Sequence, residues 1–325
     1  MAWTLDVSTI QTDCFDDELL RICQKVNTLT SVNLLTNRND FTASHYGTWS
    51  FISTDREKIE LSKLHTISSI GRNAFMDLEV RTFLKTLIIH KTNNVFMIYP
   101  ESFVGLTQLE NLELDVGPIL LQAHLFDSLP SLKFLKIEVI ETFQYLSQVL
   151  APLSNLKTIE ILGNRSVGIC QNKFSYEIPH LLTDIRYTNG PLKELQANSM
   201  TCIAQLEKFT ITNTQLSTIQ AGAFKSMDNL KYVNLAYNQI TMIYEDTFDG
   251  LSCNFFHLSH NKIQRIESNA FKHSDIQNLY VLNITFNVEF NKKFWSLPDS
   301  THVYSSANED EHYGVYIKPP MSKWS

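Results

Sequence analysis

Glycine is scarce in this chain. There are 10 glycines in 325 residues, roughly 3 % where globular proteins average about 7 %. The glycine-rich loops that cradle phosphates need several in a fixed spacing, and no GxxxxGK[ST], GxGxxG or GxSxG occurs. Long apolar runs are also missing. The longest are pieces such as Pro118-Ile-Leu-Leu121, far short of the ~18 residues that a membrane span needs. Positive charge does not predominate either: 27 Lys and Arg stand against 34 Asp and Glu, a formal net charge of −7. That argues against nucleic acid as a partner, since nucleic-acid binders usually carry a basic face. The opening Met1-Ala-Trp-Thr-Leu-Asp6 has no basic segment followed by an apolar one, so no signal peptide is read there. With 43 % hydrophobic and 19 % charged residues, the chain has apolar material for a core and too little charge for disorder.

What is present is periodic. Leu230, Val233, Leu235, Asn238, Ile240 and Ile243 are followed by Phe248 and Leu251. Leu206, Phe209, Ile211, Thr214, Leu216, Ile219, Phe224 and Met227 stand 24 residues earlier. Phe256, Leu258, Asn261, Ile263, Ile266 and Phe271 follow, and Leu279, Leu282, Ile284 and Asn287 are read as the next unit. Weaker copies run back through Leu182, Leu156, Leu132, Leu109 and Leu84 to Ile59. About ten units are counted between residues 56 and 302. A period of this length marks a stacked array, because one such unit cannot bury its apolar side alone.

The Leu-x-Leu core alternates with period two, so each unit should contribute one short strand with Val233 and Leu235 inward and Tyr232 and Asn234 outward. Identical units stack their strands in parallel. The expected architecture is therefore a β-rich, curved solenoid with a parallel concave sheet and a convex side of loops and single turns. Asn238, Asn261 and Asn287 should turn inward and satisfy backbone groups, and Phe103, Phe224, Phe248 and Phe271 should stack as a spine. Residues 1–55 do not repeat and are read as a cap. Leu19, Leu20, Ile22 and Val26 have roughly helical spacing, which predicts a short helix within Asp13–Val26, followed in the cap by a strand. Residues 303–325 lack periodicity and are read as a tail.

The LxxLxLxxNxIxxI signature, strongest over 206–287, resembles the leucine-rich-repeat family in its extracellular-type form of about 24 residues. The resemblance implies a non-catalytic recognition scaffold, without cofactor, that binds a protein on its concave face. It also implies an extracellular binding protein or soluble receptor. A stabilising subunit of a secreted enzyme complex and an intracellular adaptor are the alternatives. A further likeness is to arthropod extracellular members, one group of which is named for the non-catalytic subunit of a shrimp luciferase. Because extracellular members often carry a disulfide in their caps, the resemblance implies a Cys14–Cys23 bond. Two cysteines nine residues apart on one helix would instead lie about 13 Å apart, too far to bridge.

Strand phase marks the outward residues. Glu113, Asp115 and Glu138 form a mainly acidic band, and Tyr232, Tyr237, Phe255, His257, His260 and Phe286 form an aromatic and histidine stripe. Clustered exposed aromatics are typical of interaction hot spots. Two Asn-x-Ser/Thr sequons occur. Asn164 uses the inward turn asparagine, whereas Asn283 should face out and accept a glycan in a secreted chain. Cys253 replaces an inward leucine. Cys170 and Cys202 differ in phase, which argues against pairing. His257-x-x-His260 has no accompanying cysteine or carboxylate ligand, so no metal site is read, and no nucleophile, base and oxyanion donor assemble.

Overall fold

In a computed structural model of the chain, strands are placed at 13–16, 20–25, 28–34, 44–46 and 49–55. The array is described over 57–305, apart from 63–68, 77–81, 91–96, 120–121, 123, 140–148, 164–177, 200–202 and 285–291.

The alternation of apolar and polar residues appears directly as alternation of burial. Thr86–His90 and Lys208–Thr212 both bury every second side chain and leave the others partly exposed. These strands join one 13-stranded sheet that follows the chain from Lys58–Ser62 to His302–Ser305 in unbroken parallel order. One inward row crosses it in register: Leu87, Leu112, Leu135, Ile159, Ile185, Phe209, Val233, Phe256, Leu279 and Val303. Each of the row's large apolar side chains that is fully buried contributes roughly 1.5–3 kcal/mol. The solenoid therefore holds one continuous core rather than a series of small ones.

The expected count of ten units is slightly too high. The nine strands from Thr86–His90 to Asp275–Val281 are joined by about eight turns. The strands at either end close the array. Lys58–Ser62 receives Trp49–Asp55 antiparallel, and Ser44–Tyr46 pairs antiparallel beyond it.

The spine and the asparagine ladder are both present. Phe103 stacks between Phe75 and Phe126 with ring centroids 6.0 and 6.1 Å away. Phe248 lies 5.8 Å from Phe224 and 5.1 Å from Phe271. Asn238, 2 % exposed, donates from Nδ2 to the carbonyls of Ile211 (2.7 Å) and Leu235 (3.0 Å). Its Oδ1 accepts from the N–H and hydroxyl of Thr214. Asn261 repeats the device on Leu235 and Leu258. Thr214, which departs from the consensus asparagine, is thus tied in by the asparagine of the next turn. Cys253 is buried in the core as expected, and burial together with Asp275 pushes its thiol up to about 12. The convex side, among the described residues, is mainly turns and three small parallel ladders, Ser69–Ile70 with Met97–Ile98, Glu194–Leu195 with Thr218–Ile219 and Met242–Ile243 with Arg265–Ile266.

Three sequence expectations are corrected. The Asp13–Val26 helix is absent: Asp13–Asp16 and Leu20–Lys25 are antiparallel strands, and Leu20–Lys25 pairs onward with Thr28–Leu34. Thr28–Leu34 then runs parallel to Ser69–Ile70, so the cap extends the minor sheet of the first turns. The last unit is read out of phase. Leu279 lies opposite Phe256 and Cys253 opposite Ile276, so Leu279 and Val281 point inward, both 1 % exposed. The consensus asparagine position then falls on Ile284 rather than Asn287. Finally, the sheet continues through Ser305, so its last strand enters the segment read as tail. Asn287, Asn164, Cys170 and Cys202 lie outside the described residues.

Candidate functional site

The concave face is built from the outward residue of each strand. In its first two thirds charged residues of both signs are interleaved among threonines and a few apolar side chains such as Ile88. Lys58 lies 3.2 Å from Glu60, and Lys136 lies 3.8 Å from Glu113. Arg186 binds Asp184 through two bonds of 3.2 and 2.6 Å. Burial works against the Arg186 charge, but the Asp184 carboxylate outweighs it and holds the guanidinium above its usual range. Burial likewise opposes ionisation of Glu60, yet His90 at 2.7 Å and Lys58 keep its carboxyl below the ordinary value. Glu138 lies over Gly163, where a β-carbon would stand 3.0 Å from Glu138 Cγ and the backbone φ is +73°. The acidic band expected at Glu113, Asp115 and Glu138 is therefore a mosaic. Register sets Lys136 directly between Glu113 and Glu160.

The last four strands differ in kind. Their outward residues are Tyr232 and Asn234, then Phe255 and His257, then Asn278 and Tyr280, then His302 and Tyr304. None of these carries a carboxylate, ammonium or guanidinium group; the carboxylate on these strands is Asp275, exposed at the start of Asp275–Val281. His257 lies 5.3 Å from Tyr232 and stacks on Tyr280 at 4.3 Å with a 7° tilt. Tyr280 stacks on Tyr304 at 4.6 Å and 7°. The strand spacing of about 4.7–4.9 Å is close to ring-stacking distance, so one aromatic per turn at one phase makes a continuous pile. Burial lowers the His257 pKa to about 4, which keeps the imidazole neutral within the pile at neutral pH. Burial also raises Tyr232 and Tyr280. Because the rings cover one another's faces, the surface presents edges: phenol hydroxyls, imidazole nitrogens and the amides of Asn234 and Asn278. Asn234 donates to Tyr232 Oη at 3.2 Å, and Tyr304 Oη donates to Asn278 at 3.4 Å.

A second row flanks the first. Tyr237 stacks on His260 at 4.1 Å and 7°, and His260 Nδ1 is 3.5 Å from Asn283 Nδ2. Asn189, Asn213, Tyr237, His260 and Asn283 occupy the same place in successive turns, all with φ between +50° and +59°. Left-handed backbone is unfavourable for tyrosine and costs about 1–3 kcal/mol. Asparagine tolerates it better.

Of the residues singled out from sequence, Tyr232, Tyr237, Phe255, His257 and His260 fall on one continuous surface. Tyr237 is 53 % exposed and Phe255 40 %. Phe286 lies outside the described residues. Tyr280 and Tyr304 belong to the pile and were missed. The out-of-phase reading of the last unit leaves Tyr280 unassigned, and Tyr304 falls in the segment read as tail. Among the described residues no cluster of three or more His, Cys, Asp or Glu could hold a metal. His257 and His260 stand in separate stacks. In the cap, Cys14 and Cys23 are directly opposed Cα partners in an antiparallel pair. The helical geometry that would have kept them apart does not exist.

Two family models match the chain: a leucine-rich repeat over residues 204–263 and a BspA-type leucine-rich-repeat region over 68–177. Together with the parallel solenoid, they place this chain in the leucine-rich-repeat family. It is 25 % identical to bovine (Bos taurus) osteomodulin over 235 residues, covering 70 % of this chain and 53 % of that one. It is 25 % identical to chicken (Gallus gallus) lumican over 197 residues, covering 51 % and 54 %. The chain thus spans about half the length of these relatives. Among solved structures, a TLR13–ssRNA13 complex aligns with a TM-score of 0.56 at 19 % identity, covering 74 % of this chain and 36 % of that one. This last likeness concerns the fold alone. That protein is in complex with single-stranded RNA, so the case against nucleic acid rests on this chain's own charge and not on its architecture. The likeness to the shrimp luciferase subunit finds no support in these comparisons. No helix among the described residues is long and apolar enough to cross a membrane.

Proposed function

We propose that this chain is a non-catalytic, extracellular recognition protein whose protein partner docks on the C-terminal third of the concave face. The observation that carries this reading is the uncharged aromatic surface from Tyr232 to Tyr304, lying beside a charged mosaic whose ions are largely paired. Interface centres are depleted of charge and enriched in tyrosine and other aromatics, with polar groups around them. The surface has that composition, and it stands on rigid strands rather than loops. Osteomodulin and lumican are extracellular matrix proteins and are not enzymes, which supports both the compartment and the absence of chemistry. Tyr232→Ala combined with Phe255→Ala should weaken binding by at least ~2 kcal/mol, about thirtyfold in Kd. Both side chains point away from the core, so thermal stability should change little. Titration calorimetry against the partner purified from the native source tests this. Wild-type affinity in the double variant would move the interface to the convex turns or the cap.

A further inference from the structure

We infer that Asn283 is an N-glycosylation acceptor and that its glycan stands on the rim of the concave face, beside the Tyr237–His260 stack. The inference rests on the extracellular compartment proposed above. Asn283-Ile-Thr285 is one of two sequons in the sequence, and the two fall at different repeat phases. By sequence phase Asn164 stands five residues after Ile159, as Asn238 stands after Val233 and Asn261 after Phe256. At that position both Nδ2 hydrogens go to buried backbone carbonyls. A sugar on such a nitrogen would have to displace one of those bonds and enter the core.

Asn283 is placed differently. It follows the strand Asp275–Val281, its side chain is exposed, and its φ is +50°. The equivalent positions Asn189, Asn213 and Tyr237 in earlier turns are also exposed, so this line of the solenoid faces solvent turn after turn. Only the Asn283 rung also carries a hydroxyl residue two positions on. The backbone at this rung is fixed: His260 N–H donates to the Leu282 carbonyl at 2.8 Å, and Leu282 N–H donates to Ser259 Oγ at 3.1 Å.

The chemistry is compatible with the contact already made there. Transfer joins Asn283 Nδ2 to the anomeric carbon of an oligosaccharide carried on a polyprenyl pyrophosphate. The C–O bond to the pyrophosphate breaks, the pyrophosphate leaves with the bonding pair, and one Nδ2 proton is lost. One N–H remains and can still face His260 Nδ1, 3.5 Å away. The His260–Tyr237 stack then backs the amide, and the sugar projects away from the sheet. Transfer takes place on the emerging chain. The folded geometry decides whether the modified chain can close its solenoid, and at Asn283 nothing in the core has to move.

The test uses the full chain in two preparations. In the first it is exported from eukaryotic cells behind a secretion leader. In the second it is purified from its native source. Peptide mapping after enzymatic deglycosylation, which converts a glycosylated asparagine to aspartate, reads each sequon. The expected result is near-complete conversion at Asn283 in both preparations, none at Asn164, and loss of the glycan in Asn283→Gln and in Thr285→Ala. An exported, folded chain without sugar at Asn283 overturns the acceptor assignment. Sugar on the exported chain but not on the native one shows that the acceptor is competent and the compartment reading is wrong, which overturns the inference for the native protein. Neither result depends on the docking surface, whose own test is the Tyr232 and Phe255 pair.

Discussion

Asn238 makes four hydrogen bonds to the backbone and hydroxyl groups of three neighbours and is almost wholly buried, so its value lies in what would be left behind without it. In Asn238→Ala the carbonyls of Ile211 and Leu235 lose a donor and the Thr214 hydroxyl and N–H lose an acceptor. Unpaired buried groups cost about 1–3 kcal/mol, and denaturant unfolding should show a loss of that order. His257 gives a prediction with a sign. Burial between Tyr232 and Tyr280 depresses its pKa to about 4, against about 6.5 in an unfolded chain. Between those values the unfolded chain binds the extra proton, so stability is present above pH 6.5 and is lost as pH falls towards 4. The loss should be on the order of 1–3 kcal/mol and should be reduced in His257→Gln when melting temperature is followed from pH 7 to pH 4. The inward leucines, the asparagines and the outward aromatics up to His260 were legible in the sequence because each unit repeats its phase many times over. Tyr280 was not. Leu279, Val281, Leu282 and Ile284 offer two apolar phases, and only pairing with Phe256 chooses between them.

The cap was the element least legible from sequence. Leu19, Leu20, Ile22 and Val26 fit a helical period, but a window this short fits a strand nearly as well. What decides the matter is tertiary. The minor sheet of the first turns would otherwise end on the bare edge of Ser69–Ile70, and Thr28–Leu34 fills it. An uncovered sheet edge invites association with other chains. Covering it from both sheets explains why the first 55 residues do not repeat. The register Cys14 opposite Cys23 leads to an expected disulfide across the hairpin. Intact mass of the never-reduced protein should be about two hydrogens lower than that of the reduced form, and non-reducing peptide mapping should recover the linked pair. Two thiols that alkylate in the folded, never-reduced protein would remove the staple from this account.

The whole molecule divides its concave face by chemistry: ion-paired residues from Lys58 to Arg186, uncharged aromatics from Tyr232 to Tyr304. The expectation of an acidic band read single residues correctly but could not show that Lys136 lies between two glutamates in register. Its consequence is kinetic. Neutralising Glu113, Asp115 and Glu138 to amides should change the association rate of a charged partner by a few-fold at low salt. The effect should vanish near 0.15 M, where the screening length is about 8 Å. Dissociation should stay unchanged, and stopped-flow or surface-based kinetics at two ionic strengths would separate the two. The aromatic pile has one more consequence, which is optical. Parallel phenol rings within 4.6 Å of each other couple their electronic transitions, so Tyr280 and Tyr304 should give the folded solenoid a near-ultraviolet circular-dichroism band that isolated tyrosines lack. Sliding either strand out of register would extinguish it while the far-ultraviolet β signal remained. The protein thereby carries its own unlabelled gauge of whether its last turns are stacked.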